Sequence, residues 1–209
     1  MMVRGIMLKI YGDARSRAYR CVWMLRELGL DFEQIPVDLA SARDRSFLAI
    51  NPNGKVPALV DGPFALWESI AINLYLAKKF DSELAPRTLE EEARTLQWSL
   101  WAVTECEPHA VTLFNHTFPR AARSTSDADA AAAAAKLGKV LPVLDGALAN
   151  SPYLLGDRFT VADLNVASIV SGAKAAGLDL TAVPNAKRWL SECLRRPAQR
   201  EAVRAMTAA

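Results

Sequence analysis

Asn51-Pro52-Asn53-Gly54-Lys55-Val56-Pro57-Ala58-Leu59, followed nine residues later by Glu68-Ser69 at the head of an apolar helical run, decides how this chain is read. Asn51 to Gly54 is turn chemistry, because asparagine, proline and glycine supply conformations that a strand does not use. Val56-Pro57 then stands where a strand should begin, and a proline cannot donate to a ladder, so pairing is left open there. X-Pro is the only context in which a cis bond costs as little as roughly 0.5–1 kcal/mol. A cis Val56-Pro57 bond fits this place and would turn the Val56 N–H and C=O outward as a free donor and acceptor.

Outward from that stretch the pattern is that of a small mixed sheet. Met7 to Tyr11 reads as a first strand, Gly12-Asp13-Ala14-Arg15 as a loop, and about Ser16 to Leu28 as a helix stopped by Gly29. Phe32 to Val37 is a second strand, and the helical crossover makes the two parallel. A short irregular helix ends over Phe47 to Ile50. Val56 to Val60 is a third strand, and Asp61-Gly62-Pro63 turns it into Phe64 to Trp67 as a hairpin partner. A helix over Ser69 to Lys79 follows. The order βαβ, short helix, ββα predicts an α/β thioredoxin-like N-terminal domain over residues 6–82.

Composition then changes. Residues 83–88 read as a linker, and from Leu89 onward strand signals disappear, so residues 89–209 are expected to form an all-α, helical C-terminal domain. Leu89, Ala93, Leu96, Leu100 and Val103 recur at spacings of four, three, four and three, the stripe of an amphipathic helix. The alanine-rich run from Asp127 to Ala135 continues into Leu137, Leu141, Leu144 and Leu148 and reads as helix, with Pro142 expected to kink or break it. Thr160-Val161-Ala162-Asp163 is a capping box: Thr160 accepts from the Asp163 N–H while the Asp163 carboxylate reaches back to the Thr160 N–H. Thr160 and Asp163 are therefore structural, as is Pro57, and losing either capping partner is expected to cost about 0.5–2 kcal/mol.

The opening stretch has the chemistry of a peptide site. An extended peptide can pair with Val56 as an added strand. At the start of the next helix the Ser69 hydroxyl, the orphan N–H groups and the dipole favour a carboxylate, and Glu68 suits an ammonium beside it. A ligand with an ammonium and a carboxylate at one end and a peptide unit farther along is γ-glutamyl-cysteinyl-glycine, glutathione. Taken singly, each motif is also ordinary turn and helix-start chemistry. Their order and spacing together favour the ligand.

Asn51-Pro52-Asn53-Gly54-Lys55-Val56-Pro57-Ala58-Leu59 with Glu68-Ser69-Ile70-Ala71-Ile72 resembles the glutathione-binding half of the cytosolic glutathione S-transferase superfamily. The likeness runs from Leu8-Lys9-Ile10-Tyr11-Gly12 to Gly156-Asp157-Arg158-Phe159-Thr160-Val161-Ala162-Asp163. This resemblance, to serine-type, bacterial-like members, implies the glutathione transferase fold, glutathione as co-substrate, a small apolar electrophile as second substrate, and a homodimer. It implies that Lys55 contacts the glycine end of glutathione, with Arg43 a weaker candidate for the same carboxylate, and that Val56, Glu68 and Ser69 hold the remainder. It also sets the electrophile between the Ser16 loop and the first long helix of the second domain. Trp101, Glu105, His109, Phe114 and His116 lie in the stretch it places there, although aromatic residues at helical spacing are usually packing.

Such an enzyme must hold the thiol as thiolate, because the thiolate is the nucleophile. In the serine-type members the catalytic hydroxyl lies five residues after the strand-end position held here by Tyr11, which makes Ser16 the candidate; a serine there is also a favoured helix cap. In tyrosine-type members a tyrosine ending the first strand donates to sulfur, and Tyr11 occupies that place, where it would equally pack against the core. Arg15 is a third candidate. A common serine-type pattern has asparagine two residues after the serine; Ala18 stands there. Arg15, Arg17 and Arg20 gather at the helix start against the dipole, and a solvated face is their ordinary fate.

A net charge of +2 with 23% charged residues makes no electrostatic case for nucleic acid or a membrane surface. No apolar run approaches the ~20 residues of a membrane span. Met1 to Met7 is too short an apolar patch for a secretory signal, so a cytoplasmic protein is expected. Cys21, Cys106 and Cys193 are odd in number and far apart, which suggests buried hydrophobes rather than disulfides. His109 and His116 have no partners at metal spacing, and no metal is expected. The expected function is a glutathione transferase. The alternatives are a glutathione-dependent isomerase or reductase, disfavoured in its thiol-disulfide form because no cysteine neighbours Ser16, and a non-catalytic glutathione-transferase-like binding protein, which would have no need of Ser16.

Overall fold

In the computed structural model, which describes residues 7–13, 16–38, 44–118 and 125–207, β1 (Leu8–Tyr11) alternates buried Leu8 and Ile10 with half-buried Lys9 and Tyr11. It pairs in parallel with β2 (Phe32–Ile35), Leu8 opposite Phe32, and antiparallel with β3 (Ala58–Asp61), Tyr11 opposite Ala58. β4 (Phe64–Trp67) closes the sheet on β3, so the order is β2-β1-β3-β4. The parallel pair and the hairpin are both as expected from the crossover and from Gly62, whose φ of +61° suits the turn.

Helices α1 (Ala18–Glu27) and α3 (Ser69–Lys79) pack on each other, and the short α2 (Arg45–Leu48) carries Phe47. Trp23, Met24, Leu25, Ile10, Leu59, Ile72 and Leu76 are wholly buried, each apolar side chain of this size stabilising the unit by about 1.5–3 kcal/mol. The sheet end of α3 is tied down by charge. The Tyr75 hydroxyl donates to Asp61 Oδ2 at 2.7 Å and Lys79 Nζ bonds the same oxygen. Burial alone raises an aspartic acid, but these hydrogen bonds and the Lys79 charge outweigh it and hold the Asp61 carboxyl below its ordinary value.

The chain divides into two compact units, the residues through Ala85 together with Arg196 onward, and Pro86–Arg195. This differs from the division into 6–82 and 89–209 read from composition. The last helix, α9 (Pro197–Thr207), packs on α1. Arg196 donates from Nε and Nη2 to the two carboxylate oxygens of Glu27 at 2.6 and 2.8 Å, Trp23 Nε1 donates to Glu27 at 2.9 Å, and Gln199 donates to the Tyr19 hydroxyl at 3.1 Å. Helical periodicity carries no information about which partner a helix will find.

Within the second unit α4 (Leu89–Trp101) passes through a π-helical turn (Ala102–Cys106) into α5 (Glu107–Thr117). Pro108 explains the irregularity: it lacks an N–H, and its ring crowds the preceding turn. The apolar stripe of α4 does not face the core. Leu89, Leu96, Leu100 and Val103 are 76%, 50%, 61% and 36% exposed, whereas Thr95, Ser99, Ala102 and Cys106 are buried. Ser99 accepts a hydrogen bond from Asn165 Nδ2 at 3.0 Å, which satisfies a polar group on the buried face.

α6 (Asp127–Ala147) begins at Ser126, whose hydroxyl accepts from the Asp129 N–H at 3.1 Å, and runs on through Pro142 as one helix. Of the kink or break expected there, the break does not occur, because buried Leu137, Leu141, Leu144 and Leu148 hold both sides of the proline in the core. α7 (Val161–Ala175) is buried along most of its length and starts with the expected capping box at Thr160 and Asp163. Asp163 does more than cap. It also accepts from the Leu154 N–H at 2.9 Å and from Trp189 Nε1 at 2.8 Å, joining α7 to the preceding loop and to α8 (Pro184–Arg195).

Candidate functional site

The sheet register brings three separate segments out at one end. Tyr11 lies opposite Ala58 and Ala58 opposite Trp67, so Gly12, Pro57 and Glu68 each take the next step out of the sheet side by side. Gly12 is the hub. Its φ is +121°, and a Cβ there would stand 2.9 Å from Val56 Cβ, 3.0 Å from Ala18 Cβ and 3.3 Å from Ser16 Oγ. Only a glycine leaves room for Ser16 and Val56 to approach one another so closely. Gln34 Nε2 holds the Gly12 C=O at 2.9 Å from β2.

Ser16 lies just before α1. Its hydroxyl donates to the Asp13 C=O at 2.7 Å and accepts from the Ala18 N–H at 3.1 Å, so it caps the start of the helix and its one proton is held within the loop. The Tyr11 ring lies 5.8 Å from that of Phe47, in a cluster with Val37, Ile50 and Val56. Arg15 and Arg43 lie outside the described residues.

The Val56-Pro57 bond is cis. Among the described residues no hydrogen-bond partner meets the Val56 N–H or C=O. Asn51 builds the loop ahead of it: buried, it donates from Nδ2 to the Lys55 C=O and accepts the Asn53 N–H at 3.0 Å, while the Gly54 N–H returns to the Asn51 C=O at 2.9 Å. Lys55 extends into solvent.

Glu68 and Ser69 occupy the third segment. Glu68 is exposed and has φ +74°, a left-handed conformation that costs a non-glycine residue about 1–3 kcal/mol and is found where a side chain must be aimed. Ser69 opens α3, whose first N–H groups have no intrahelical acceptor. It is buried from behind by α1: Arg20 Nη1 lies 3.4 Å from its hydroxyl and Cys21 Sγ 3.7 Å from its C=O. Arg20 is only 7% exposed, so the solvated face expected of the arginine cluster holds for exposed Arg17 and fails for Arg20. Burial pushes the Cys21 thiol far above its ordinary range, with the Arg20 charge opposing it weakly. Cys106 is pushed up to about 12 by burial and by Glu105, and Cys193 is buried. These thiols are core groups.

The family model for the glutathione S-transferase N-terminal domain matches residues 7–78, and that for the C-terminal domain residues 103–197. The chain belongs to the glutathione S-transferase family. Glutathione S-transferase 3 of Zea mays is 38% identical over 214 residues, covering 95% of this chain and 94% of that one. The disulfide-bond oxidoreductase YfcG of Escherichia coli (strain K12) is 33% identical over 206 residues, 94% of each. The crystal structure of the theta class glutathione S-transferase from Xanthomonas axonopodis pv. citri with glutathione bound has a TM-score of 0.86 at 30% identity, covering 94% of this chain and 96% of that one. Plant enzymes are prominent among such relatives, and the expected serine-type, bacterial-like character is not confirmed by them.

The fold is that of a glutathione S-transferase, and the register explains why motifs separated by tens of residues meet in it. In the helical unit Trp101 packs edge-on against Trp98 at 5.2 Å and Phe114 against Phe118 at 4.9 Å. His116 lies 3.1 Å from the Thr125 C=O and 3.6 Å from Asp127, while Glu105 Oε1 accepts from the Thr104 hydroxyl at 3.4 Å. Among the described residues no cluster of His, Cys, Asp or Glu could hold a metal, and no helix is long and apolar enough to cross a membrane. Nothing in the sequence marks Gly12 as more than a loop residue or Gln34 as part of the site, because a close approach leaves no mark on composition. Sequence reading names Arg20 but assigns it to the surface.

Proposed function

We propose that this glutathione S-transferase binds glutathione on its first unit and joins the glutathione thiolate to a small apolar electrophile. The cysteinyl backbone pairs with the Val56 N–H and C=O as a short added strand. The γ-glutamyl carboxylate sits at Ser69 and the first N–H groups of α3, the ammonium at Glu68, and the glycine carboxylate near Lys55, with Arg43 its second candidate partner. The observation that carries the reading is the convergence of Ser16, Val56 and Glu68-Ser69 at one end of the sheet.

Ser16 activates the thiol. Rotation about its Cβ–Oγ bond frees the proton from the Asp13 C=O to donate to sulfur, while the Ala18 N–H stays on the hydroxyl oxygen and strengthens it as a donor. A free thiol with pKa near 8.5 is only a few per cent ionised at neutral pH, and lowering it by about two units corresponds to roughly 2.7 kcal/mol. The thiolate then attacks the electrophilic carbon, the C–S bond forms and the leaving group departs with its electron pair. Reduced glutathione is the natural supply only in a reducing compartment, which puts the enzyme in the cytoplasm.

Titration with glutathione by calorimetry in two buffers of different ionisation enthalpy tests the reading. Binding with proton release supports it; binding without release points to a non-catalytic glutathione-binding protein, and no binding ends the glutathione reading. The oxidoreductase name of one relative motivates a second assay, glutathione-dependent reduction of a small disulfide, beside conjugation of an aryl halide. Turnover of the disulfide alone would replace transfer by reduction.

We also propose a homodimer. Supporting it, the leucine stripe of α4 is turned to solvent, and edge strand β4 exposes Phe64 and Trp67 at 43% and 37%. Light scattering should give twice the chain mass, and Leu96→Glu with Leu100→Glu should give the monomer; an unmodified protein that is already monomeric ends the proposal.

A further inference from the structure

We infer that Arg20 is the positioning residue behind carboxylate recognition at Ser69, an assignment that rests on the glutathione reading above. Arg20 lies in the first turn of α1, four residues after Ser16, and is 7% exposed; Ser69, at the first position of α3, is 4% exposed. The guanidinium approaches the Ser69 hydroxyl from the protein side, Nη1 to Oγ 3.4 Å. A serine hydroxyl has one proton to give and two lone pairs to fill. With an arginine N–H on a lone pair, that proton is left to be donated to a carboxylate that also accepts from the first N–H groups of α3. The Cys21 contact to the Ser69 C=O holds the same residue at a second point, so two neighbouring residues of α1 set both the backbone and the hydroxyl of Ser69.

The charge matters as much as the direction. Arginine stays protonated at every working pH, and a buried guanidinium acts through less screening than a surface one. A carboxylate arriving at Ser69 therefore meets a hydroxyl proton, helix N–H groups and, behind them, a permanent positive charge. Arg20 need not touch the ligand to do this.

A purely structural Arg20, one that only ties α1 to α3, would affect every ligand of the site alike. The test exploits that difference with two ligands, glutathione and the tripeptide in which 4-aminobutyrate replaces the γ-glutamyl residue, which lacks only the α-carboxylate. Arg20→Gln should raise KM for glutathione by about tenfold to a hundredfold, as expected for a lost charge-assisted contact. The value of kcat should stay within about threefold, because binding rather than the reacting sulfur is affected. KM for the shortened peptide should be nearly unchanged. Equal losses for the two ligands, or no loss for glutathione, would overturn the assignment. Should Arg20→Gln fail to fold, Arg20→Lys, which retains the charge at shorter reach, carries the same comparison: a larger loss for glutathione than for the shortened peptide supports the inference, and equal effects overturn it. Failure of the unaltered enzyme to bind glutathione at all would instead remove the reading on which the inference stands.

Discussion

The Ser16 hydroxyl donates to the Asp13 carbonyl at 2.7 Å, so the proton proposed to steady a thiolate is parked on the backbone three residues away. A hydroxyl turns about a single bond with little hindrance, and a sulfur anion is a stronger acceptor than a neutral carbonyl. The same group can thus cap α1 in the empty site and serve sulfur in the filled one. Ser16→Ala removes both roles. Its turnover should fall about 10²–10³-fold, the effect typical of losing one preorganised donor to a developing anion. Stability should fall by only about 0.5–1 kcal/mol, the low end of a lost cap. Thiolate absorbance on titrating with glutathione checks this directly: an undiminished signal in Ser16→Ala would move the role to Tyr11 or Arg15.

Gly12 allows no side chain. Gly12→Ala places a methyl 2.9 Å from Val56 Cβ and 3.3 Å from Ser16 Oγ, on a backbone whose φ of +121° already excludes alanine. The variant should lose at least about 1 kcal/mol of stability and, by separating Ser16 from Val56, most of its glutathione affinity. Thermal unfolding and calorimetry report the two losses independently. A variant with normal affinity would show that the two segments do not act as one site.

Asp163 should prove more costly to lose than its capping partner. Thr160→Ala removes one member of the box and should cost about 1 kcal/mol. Asp163→Ala leaves the buried Leu154 N–H and Trp189 Nε1 without their acceptor as well, which should bring the cost to about 3–5 kcal/mol. Urea unfolding measures both, and activity per folded molecule should remain unchanged. Equal costs would mean that water replaces the missing carboxylate.

The Asp61 cluster predicts an acid limb of the stability curve. The folded carboxyl is held below its ordinary value, so above about pH 3.9 both folded and unfolded chains are ionised and the contribution is complete. Below that pH the unfolded chain takes up the proton first, and the contribution is lost as pH falls through the lowered folded value. Asp61→Asn should cost about 1–2 kcal/mol near pH 6, and its urea midpoint should converge on that of the unaltered protein as pH is lowered. Parallel curves down to pH 2 would rule out Asp61 as a source of acid sensitivity.

Much of this protein can be read along the chain, because the decisive information is local. Turn residues at Asn51 to Gly54, the proline at 57, the crossover between Leu8 and Ile35 and the Thr160-Asp163 spacing each constrain only a few neighbouring dihedrals or hydrogen bonds, and the structure carries them as expected. The candidate site was legible for the same reason, since each of its three segments has its own short signature. At Pro142 the local rule leaves a kink or a break open, and long-range packing on both sides of the proline decides against the break.

Only the tertiary structure decided which faces those elements turn inward and which distant residues meet. Periodicity marked the leucines of α4 as its apolar face, yet the core took Thr95, Ser99, Ala102 and Cys106 and left the leucines outside. Composition grouped the last helix with the helical half, yet Arg196 closes on Glu27 across 169 residues and joins it to α1. Arg20 looked like one more surface arginine until α3 covered it. Secondary structure follows from each residue and its neighbours, so the sequence by itself determined the elements and their order. Burial and pairing depend on surfaces contributed by residues far away, and those exist only once the chain has folded.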